Sequence, residues 1–325
     1  MSRRPRAQTT ARLIAALLLV TTLLAACGSS TPGGSAASTG GPAASTAAKG
    51  LSVVATFYPL AFAAEQIGGP QVSVTNLTKP GVEPHDVELT PADVATLEQA
   101  ALVVYLKGFQ PAVDTAVNRQ PGTAFDVGGS ARLTALAPAA PEQPADGQGH
   151  TEASDPHFWL DPIRYRDVAA AMAQRFAALD PAHAAQYQAR ASAFEAKLTA
   201  LDTEFRQGLK SCASTNLVTS HSAFGYLASA YGLTQRGITG LSPEAEPNPQ
   251  TMAAVTTFIK ANKVSTVYSE TLVNPALAEA VARESGASLK VLDPIEGLTN
   301  SSPGRDYFEV MRANLTTLKA GQQCR

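Results

Sequence analysis

Asp180–Lys210 reads DPAHAAQYQARASAFEAKLTALDTEFRQGLK, the strongest helical signal in the chain. Tyr187, Phe194, Leu198, Leu201, Phe205 and Leu209 recur at spacings of seven, four, three, four and four, which sets them on one face of a helix. Gln, Arg, Lys, Asp and Glu occupy the other face. Asp180 and Pro181 supply an N-cap and a first-turn proline. From Pro181 to Lys210 such a helix runs ~45 Å at ~1.5 Å per residue. That is long enough to pack along two lobes, and alternating strands and helices stand on both sides of it.

On the N-terminal side, Leu51 to Thr56 reads as a buried strand. A helix follows around Leu60 to Ile67, stopped by Gly68-Gly69-Pro70, and then a strand from Val72 to Leu77. Thr90-Pro91-Ala92-Asp93 opens another helix, with Thr as N-cap and an acid in the first turn. That helix leads to the strand Ala101–Tyr105. The C-terminal side repeats the pattern. Strands are expected at Asn216–Thr219, Val264–Tyr268 and Leu289–Leu292, and helices at Ala223–Tyr231, Gln250–Asn262 and Pro275–Ser285. Alternation of this kind implies parallel sheets with helices on their faces. The predicted fold is α/β, two (β/α) lobes with parallel sheets joined by a long rigid backbone helix. The expected divisions are residues 51–165 for the first lobe, 166–210 for the helical region and 211–325 for the second lobe. A helical strut between lobes permits less hinge motion than flexible strands would.

The N-terminus reads as a targeting segment. Arg3, Arg4, Arg6 and Arg12 precede an apolar run from Leu13 to Ala26, shorter than the ~20 residues a membrane span needs. The run ends Leu24-Ala25-Ala26-Cys27-Gly28, resembling a bacterial lipoprotein signal in which Cys27 is lipidated and becomes the mature N-terminus. Residues 1–26 are then the signal peptide, and the Ser/Thr/Ala/Gly/Pro stretch 27–50 a flexible stalk. The expected location is the outer face of the cytoplasmic membrane, held there by lipid. Loss of the signal's four arginines leaves 21 basic against 27 acidic residues, which argues against a nucleic-acid partner. Cys212 and Cys324 remain. In an exported protein they most simply form one disulfide, with two unpaired thiols as the alternative. A loop of on the order of a hundred residues closed in this way contributes about 4–5 kcal/mol in the chain-entropy picture.

Three of the five histidines sit in short loop phrases: Glu83-Pro84-His85-Asp86, Asp155-Pro156-His157-Phe158-Trp159 and Ser220-His221-Ser222. His85, His221 and Asp293 each follow a predicted strand, and open α/β sheets bind ligands beyond the carboxyl ends of their strands. His157 lies where the chain leaves the first lobe. Three imidazoles and one carboxylate form a four-coordinate transition-metal ligand set, which favours Zn2+ over the harder, six-coordinate Mn2+. The expected site is His85, His157, His221 and Asp293 in the cleft between lobes. Glu270 is an alternative fourth donor, read first as a supporting or structural carboxylate. Glu83, Asp86 and Glu88 are candidates to orient His85. His183 and His150 read as solvated side chains. The Ala139–Asp155 insertion, with Glu142, Asp146, His150, Glu152 and Asp155, is either a weak metal-collecting loop or a plain solvated insertion.

Taken together, the phrases Glu83–Pro91, Asp155–Pro162, His221–Leu227, Glu246–Pro249 and Leu292–Ile295 resemble the cluster A-I metal-binding lipoproteins of bacterial ABC importers, the zinc or manganese solute-binding family. The resemblance runs from Leu51 to the C-terminus. It implies two (β/α) lobes, a backbone helix and an interlobe metal held by His85, His157, His221 and Asp293. Histidine rather than glutamate at position 221 points to the zinc-type branch.

The expected role is capture of Zn2+ and its delivery to an ABC permease in the cytoplasmic membrane by a monomeric protein, with no catalysis. The alternatives are a manganese-binding homologue, a metal-stabilised surface adhesin and a secreted zinc hydrolase. The hydrolase reading lacks both HExxH and Gly-x-Ser-x-Gly, and a catalytic zinc keeps an open position. Metal binding needs neutral imidazoles, so affinity is expected to fall as pH drops through about 6–6.5. His157 is the expected ligand to be withdrawn on release.

Overall fold

The computed structural model describes residues 50–134 and 154–325. Cys27, the signal peptide, most of the stalk and His150 lie outside the described residues. The first lobe runs β1 (Leu51–Ala55), α1 (Tyr58–Gly68), β2 (Val72–Asn76), α2 (Pro91–Gln99), β3 (Leu102–Tyr105), α3 (Pro111–Val117), β4 (Ala124–Asp126) and α4 (Gly128–Ala131). Two helices follow, α5 (Pro162–Leu179) and α6 (Ala184–Gly208). The second lobe runs β5 (Asn216–Thr219), α7 (Gly225–Tyr231), β6 (Thr234–Gly237), α8 (Pro249–Ala261), β7 (Thr266–Ser269), α9 (Ala276–Ser285), β8 (Ser288–Val291) and α10 (Tyr307–Gly321).

Each lobe holds a four-stranded sheet, in the orders β2-β1-β3-β4 and β6-β5-β7-β8. Every pairing is parallel, and the two orders are the same topology met twice. Strand alternation sorts the core. In β1, Val53 and Ala55 face the central core while Val54 faces α2 and α3; in β3, Leu102 and Val104 face inward and Val103 outward. Leu217 and Tyr268 of the second sheet join the central core, and Val218 and Val267 pack beneath α8 and α9. Helices on both faces bury the inner strands β1, β3, β5 and β7, while the edge strands β2 and β8 stay largely open.

Local signals stop and start the helices as the sequence implies. Thr90 and Asp93 form a reciprocal capping box on α2. Asn248 caps α8 through the Thr251 N–H, and Gly232 and Gly286 end α7 and α9 in the left-handed conformation. The linking helix differs from expectation at its start. Asp180 does not cap it: its carboxylate accepts from His183 Nδ1 and the Tyr187 hydroxyl, a 3-10 turn covers Pro181–His183, and α6 begins at Ala184. Its 25 residues span roughly 38 Å at ~1.5 Å per residue.

Tyr187, Phe194, Leu198, Leu201 and Phe205 of α6 are buried as their spacing predicts, and they pack with α5, α1 and α10 in one core reached from both sheets. Phe308 of α10 lies 6.0 Å from Phe62 of α1 and 5.7 Å from Phe194, ring centre to ring centre. A shared core of this kind resists large hinge opening. Cys212 and Cys324 are disulfide-bonded, which ties the segment after α10 to the segment after α6. Among the described residues, no helix is long and apolar enough to cross a membrane.

Candidate metal centre

Four side chains converge beyond the carboxyl ends of the strands: His85, His157, His221 and Glu296, with one donor atom from each within 4.8 Å of all the others. His85 Nε2 lies 3.3 Å from His157 Nε2, and His157 Nε2 lies 3.3 Å from His221 Nε2. Glu296 Oε1 is 3.3, 3.0 and 3.2 Å from His85, His157 and His221 respectively. A tetrahedron with zinc–ligand bonds of about 2.0–2.1 Å has edges of about 3.3–3.4 Å. Five of its six edges are therefore already near that length. The spacing fits a four-coordinate ion.

The carboxylate is Glu296, where the sequence pointed to Asp293. Asp293 Oδ1 accepts the N–H of Ile295 at 2.8 Å and Oδ2 accepts the Thr271 hydroxyl at 3.0 Å, so its carboxylate is spent on its own turn. An aspartate placed before a tight reversal commonly bonds the main chain two residues on. Glu296 stands one residue beyond the phrase Leu292–Ile295. The available signal was a second acid three positions beyond Asp293, but spacing alone cannot say which of two neighbouring carboxylates turns inward.

The fully buried imidazoles are each oriented by a second carboxylate. His221 Nδ1 is 2.6 Å from Glu270 Oε2, and the His221 main-chain N–H donates to Glu270 Oε1 at 3.0 Å. Glu270 follows β7 and His221 follows β5, adjacent strands, so the sheet itself brings the pair together. Glu270 thus supports His221 from behind. His157 is held likewise by Asp155, whose Oδ1 accepts its Nδ1–H at 2.7 Å and its main-chain N–H at 2.9 Å. Both contacts place the proton on Nδ1 and leave Nε2 free for an ion. The sequence places Asp155 in the His157 phrase and in the acidic insertion, but assigns it no orienting role.

His85 is held differently. Its side chain is 9% exposed, its ring meets Phe109 edge-on at 4.6 Å, and no carboxylate takes its Nδ1 among the described residues. Glu83 bonds the His85 main-chain N–H at 3.0 Å and does not touch the ring, so the expected orienting role of Glu83, Asp86 or Glu88 is not what the structure shows. The loop is fixed from below by Gln110, whose Nε2 donates to the carbonyl of Pro84 at 3.2 Å and to Thr78 Oγ1 at 3.1 Å.

Charge sharing follows from this arrangement. Burial disfavours a charged His221, yet Glu270 and Glu296 outweigh it and raise its pKa well above the ordinary 6.5. Burial likewise opposes protonation of His157, and Asp155 and Glu296 win there too. Burial lowers His85, and Glu296 does not compensate. Burial raises Glu296, but the three imidazoles, His221 foremost, hold it well below the carboxylate range. Glu83, by burial and then by the nearby Glu296 charge, is pushed up to about 8. Glu296 Oε2 is buried with no hydrogen-bond partner among the described residues, an unmet acceptor beside three imidazoles.

Residues 53–321 match the family model described as "ZnuA: Zinc-uptake complex component A periplasmic". The chain belongs to the ZnuA family. It is 34% identical over 286 residues to the high-affinity zinc uptake system protein ZnuA of Bacillus subtilis strain 168, covering 85% of this chain and 89% of that one. It is 33% identical over 279 residues to the zinc-binding lipoprotein AdcA of Streptococcus pneumoniae serotype 4, covering 83% of this chain and 55% of AdcA. The chain therefore spans about half the length of the AdcA relatives it matches. Among solved structures, the Zn(II)-bound AdcA of Streptococcus pneumoniae superposes with a TM-score of 0.70 at 33% identity, over 84% of this chain and 58% of that one. The laminin binding protein Lmb of Streptococcus agalactiae gives 0.73 at 31%, over 84% of this chain and all of that one. Two parallel four-stranded sheets with flanking helices thus place the chain in the ZnuA fold.

The remaining sequence candidates lie apart from the centre. His183 is partly exposed in the 3-10 turn that precedes α6 and pairs with Asp180. Ser220 donates its hydroxyl to the Tyr268 carbonyl at 3.4 Å, so it does not pair with the neighbouring imidazole as a hydrolase nucleophile would.

Proposed function

We propose that this chain is the extracytoplasmic substrate-binding lipoprotein of an ABC importer, capturing Zn2+ and delivering it to the membrane permease. The observation that carries the reading is the set of donor–donor distances near 3.0–3.3 Å among His85, His157, His221 and Glu296. Three imidazoles and one carboxylate suit tetrahedral Zn2+ better than six-coordinate Mn2+. Four protein ligands fill the coordination shell and leave no position for an activated water, which supports capture over catalysis. Relatives named for zinc binding and zinc uptake support the cargo assignment. Residues 1–26 act as the export signal and Cys27 as the lipid anchor, with 27–50 as the stalk that lets a monomer reach the permease. Lmb, described as having both adhesin and metal transporting activity, keeps adhesion as a second role for the same fold.

Capture exchanges protons for metal. His157 and His221 hold protons more tightly than free imidazole does, so Zn2+ entry releases them and competition extends above pH 6.5, higher than the sequence alone suggests. Release begins at His85 rather than at the expected His157. His157 is fully buried and held by Asp155 at both its ring and main-chain N–H, whereas His85 is partly open to solvent and its Nδ1 has no such carboxylate among the described residues. Metal analysis of the purified protein, with Zn2+ and Mn2+ in competition, tests the assignment: one tightly held Zn2+ per chain is expected, and preferential retention of Mn2+ would overturn it.

A further inference from the structure

The turn that delivers Glu296 is unusual in its backbone. Ile295 adopts φ +59°, the left-handed region that β-branched residues rarely enter, and it is fully buried. That reversal sends the Glu296 side chain back toward the imidazoles. Five hydrogen bonds hold it. Asp293 Oδ1 accepts the Ile295 N–H at 2.8 Å, and Oδ2 is pinned by the Thr271 hydroxyl at 3.0 Å. Asn314 of α10 clamps the Asp293 main chain in both directions, accepting its N–H at 3.0 Å and donating to its carbonyl at 2.7 Å. Trp159 Nε1, two residues beyond His157, donates to the Pro294 carbonyl at 2.7 Å and so references the turn to another ligand segment.

We propose that Asp293 is a positioning residue for the fourth ligand: its carboxylate locks Ile295 in the left-handed turn that aims Glu296 at the three imidazoles. This rests on the capture reading above. Removing an outer partner of a metal ligand typically costs about 10–100-fold in affinity, and Asp293→Ala is expected to weaken Zn2+ binding by about that factor. Asp293→Asn keeps an acceptor oxygen for the Ile295 N–H and should bind nearly as the unaltered protein does. Glycine enters the left-handed region without steric cost, so Ile295→Gly added to Asp293→Ala should restore much of the loss.

The experiment measures Zn2+ affinity of the purified full chain by chelator competition, with the visible spectrum of bound Co2+ as a second readout of four-coordinate geometry. Unaltered affinity in Asp293→Ala, or equal losses in Asp293→Ala and Asp293→Asn, overturns the positioning role. So does failure of Ile295→Gly to rescue. If Asp293→Ala alone does not fold, the comparison moves to the Ile295→Gly background, where Ala and Asn at 293 should bind Zn2+ alike and a persisting difference overturns the role. A starting protein that binds no Zn2+ refutes capture itself. If it binds, and Glu296→Ala weakens it while Asp293→Ala does not, only the positioning role is lost. Binding unaffected by Glu296→Ala removes the fourth ligand and the positioning role with it.

Discussion

His85 and His221 reach the same point from opposite lobes, but the protein holds them in different ways. His221 follows its strand at once, is fully buried, and is gripped by both oxygens of Glu270. Its carbonyl also accepts from Thr219 Oγ1 and Gln235 Nε2 at 2.6 and 3.1 Å. His85 lies well beyond its strand on a long loop, with an aromatic edge and a solvent-facing side instead of a carboxylate. The second lobe therefore supplies a preorganised ligand, and the first supplies an adjustable one. Affinity needs the first quality and release needs the second.

The largest effect is expected from His221→Ala. It removes a ligand and strands Glu270 as a buried charge, so Zn2+ affinity should fall by orders of magnitude. The metal-free fold should also lose about 3–5 kcal/mol, measured by denaturant unfolding. His85→Ala should lose comparable affinity in chelator competition while leaving the metal-free unfolding midpoint almost unchanged; a large stability loss there would erase the contrast between the two ligands. Glu270→Gln keeps the ring but weakens its support, and should cost about 10–100-fold in affinity.

The pH dependence sharpens the same comparison. His221 in the metal-free fold has a pKa raised above 6.5, so its ion pairing stabilises that fold fully below 6.5 and is lost as pH rises through the raised value. Zn2+ needs the neutral ring, so affinity should rise over the same interval. Metal-free melting temperature and Zn2+ affinity should thus move in opposite directions with pH above 6.5. Glu270→Gln should flatten both trends, whereas His85→Ala should leave the melting trend in place. The smallest effect is expected at His183, where replacement by Ala should leave Zn2+ affinity unaltered because it pairs with Asp180 and packs on Tyr187, neither of which belongs to the metal centre.

Much of this molecule was legible beforehand because its signals are local. The cap at Thr90, the glycines ending α7 and α9, and the apolar face of α6 act within a few residues of themselves. The short strand β6 and the helices α3 and α10 carry little local signal because their apolar pattern is brief or because tertiary packing holds them. α10 is held by Phe62 and Phe194, which come from elsewhere in the chain.

Two α/β lobes, a linking helix and three histidines in loops at the strand ends are written in the chain itself, since periodicity, caps and turn residues express themselves over short distances. Which acid joins the three imidazoles depends on how the chain packs in three dimensions. Asp293 and Glu296 carry the same chemistry three positions apart, and the left-handed turn at Ile295 leaves one bonded to its own backbone and the other among the imidazoles. The same holds for Asp155 and Glu270: a carboxylate orients an imidazole only when packing sets it behind the ring, and no spacing in the chain encodes that.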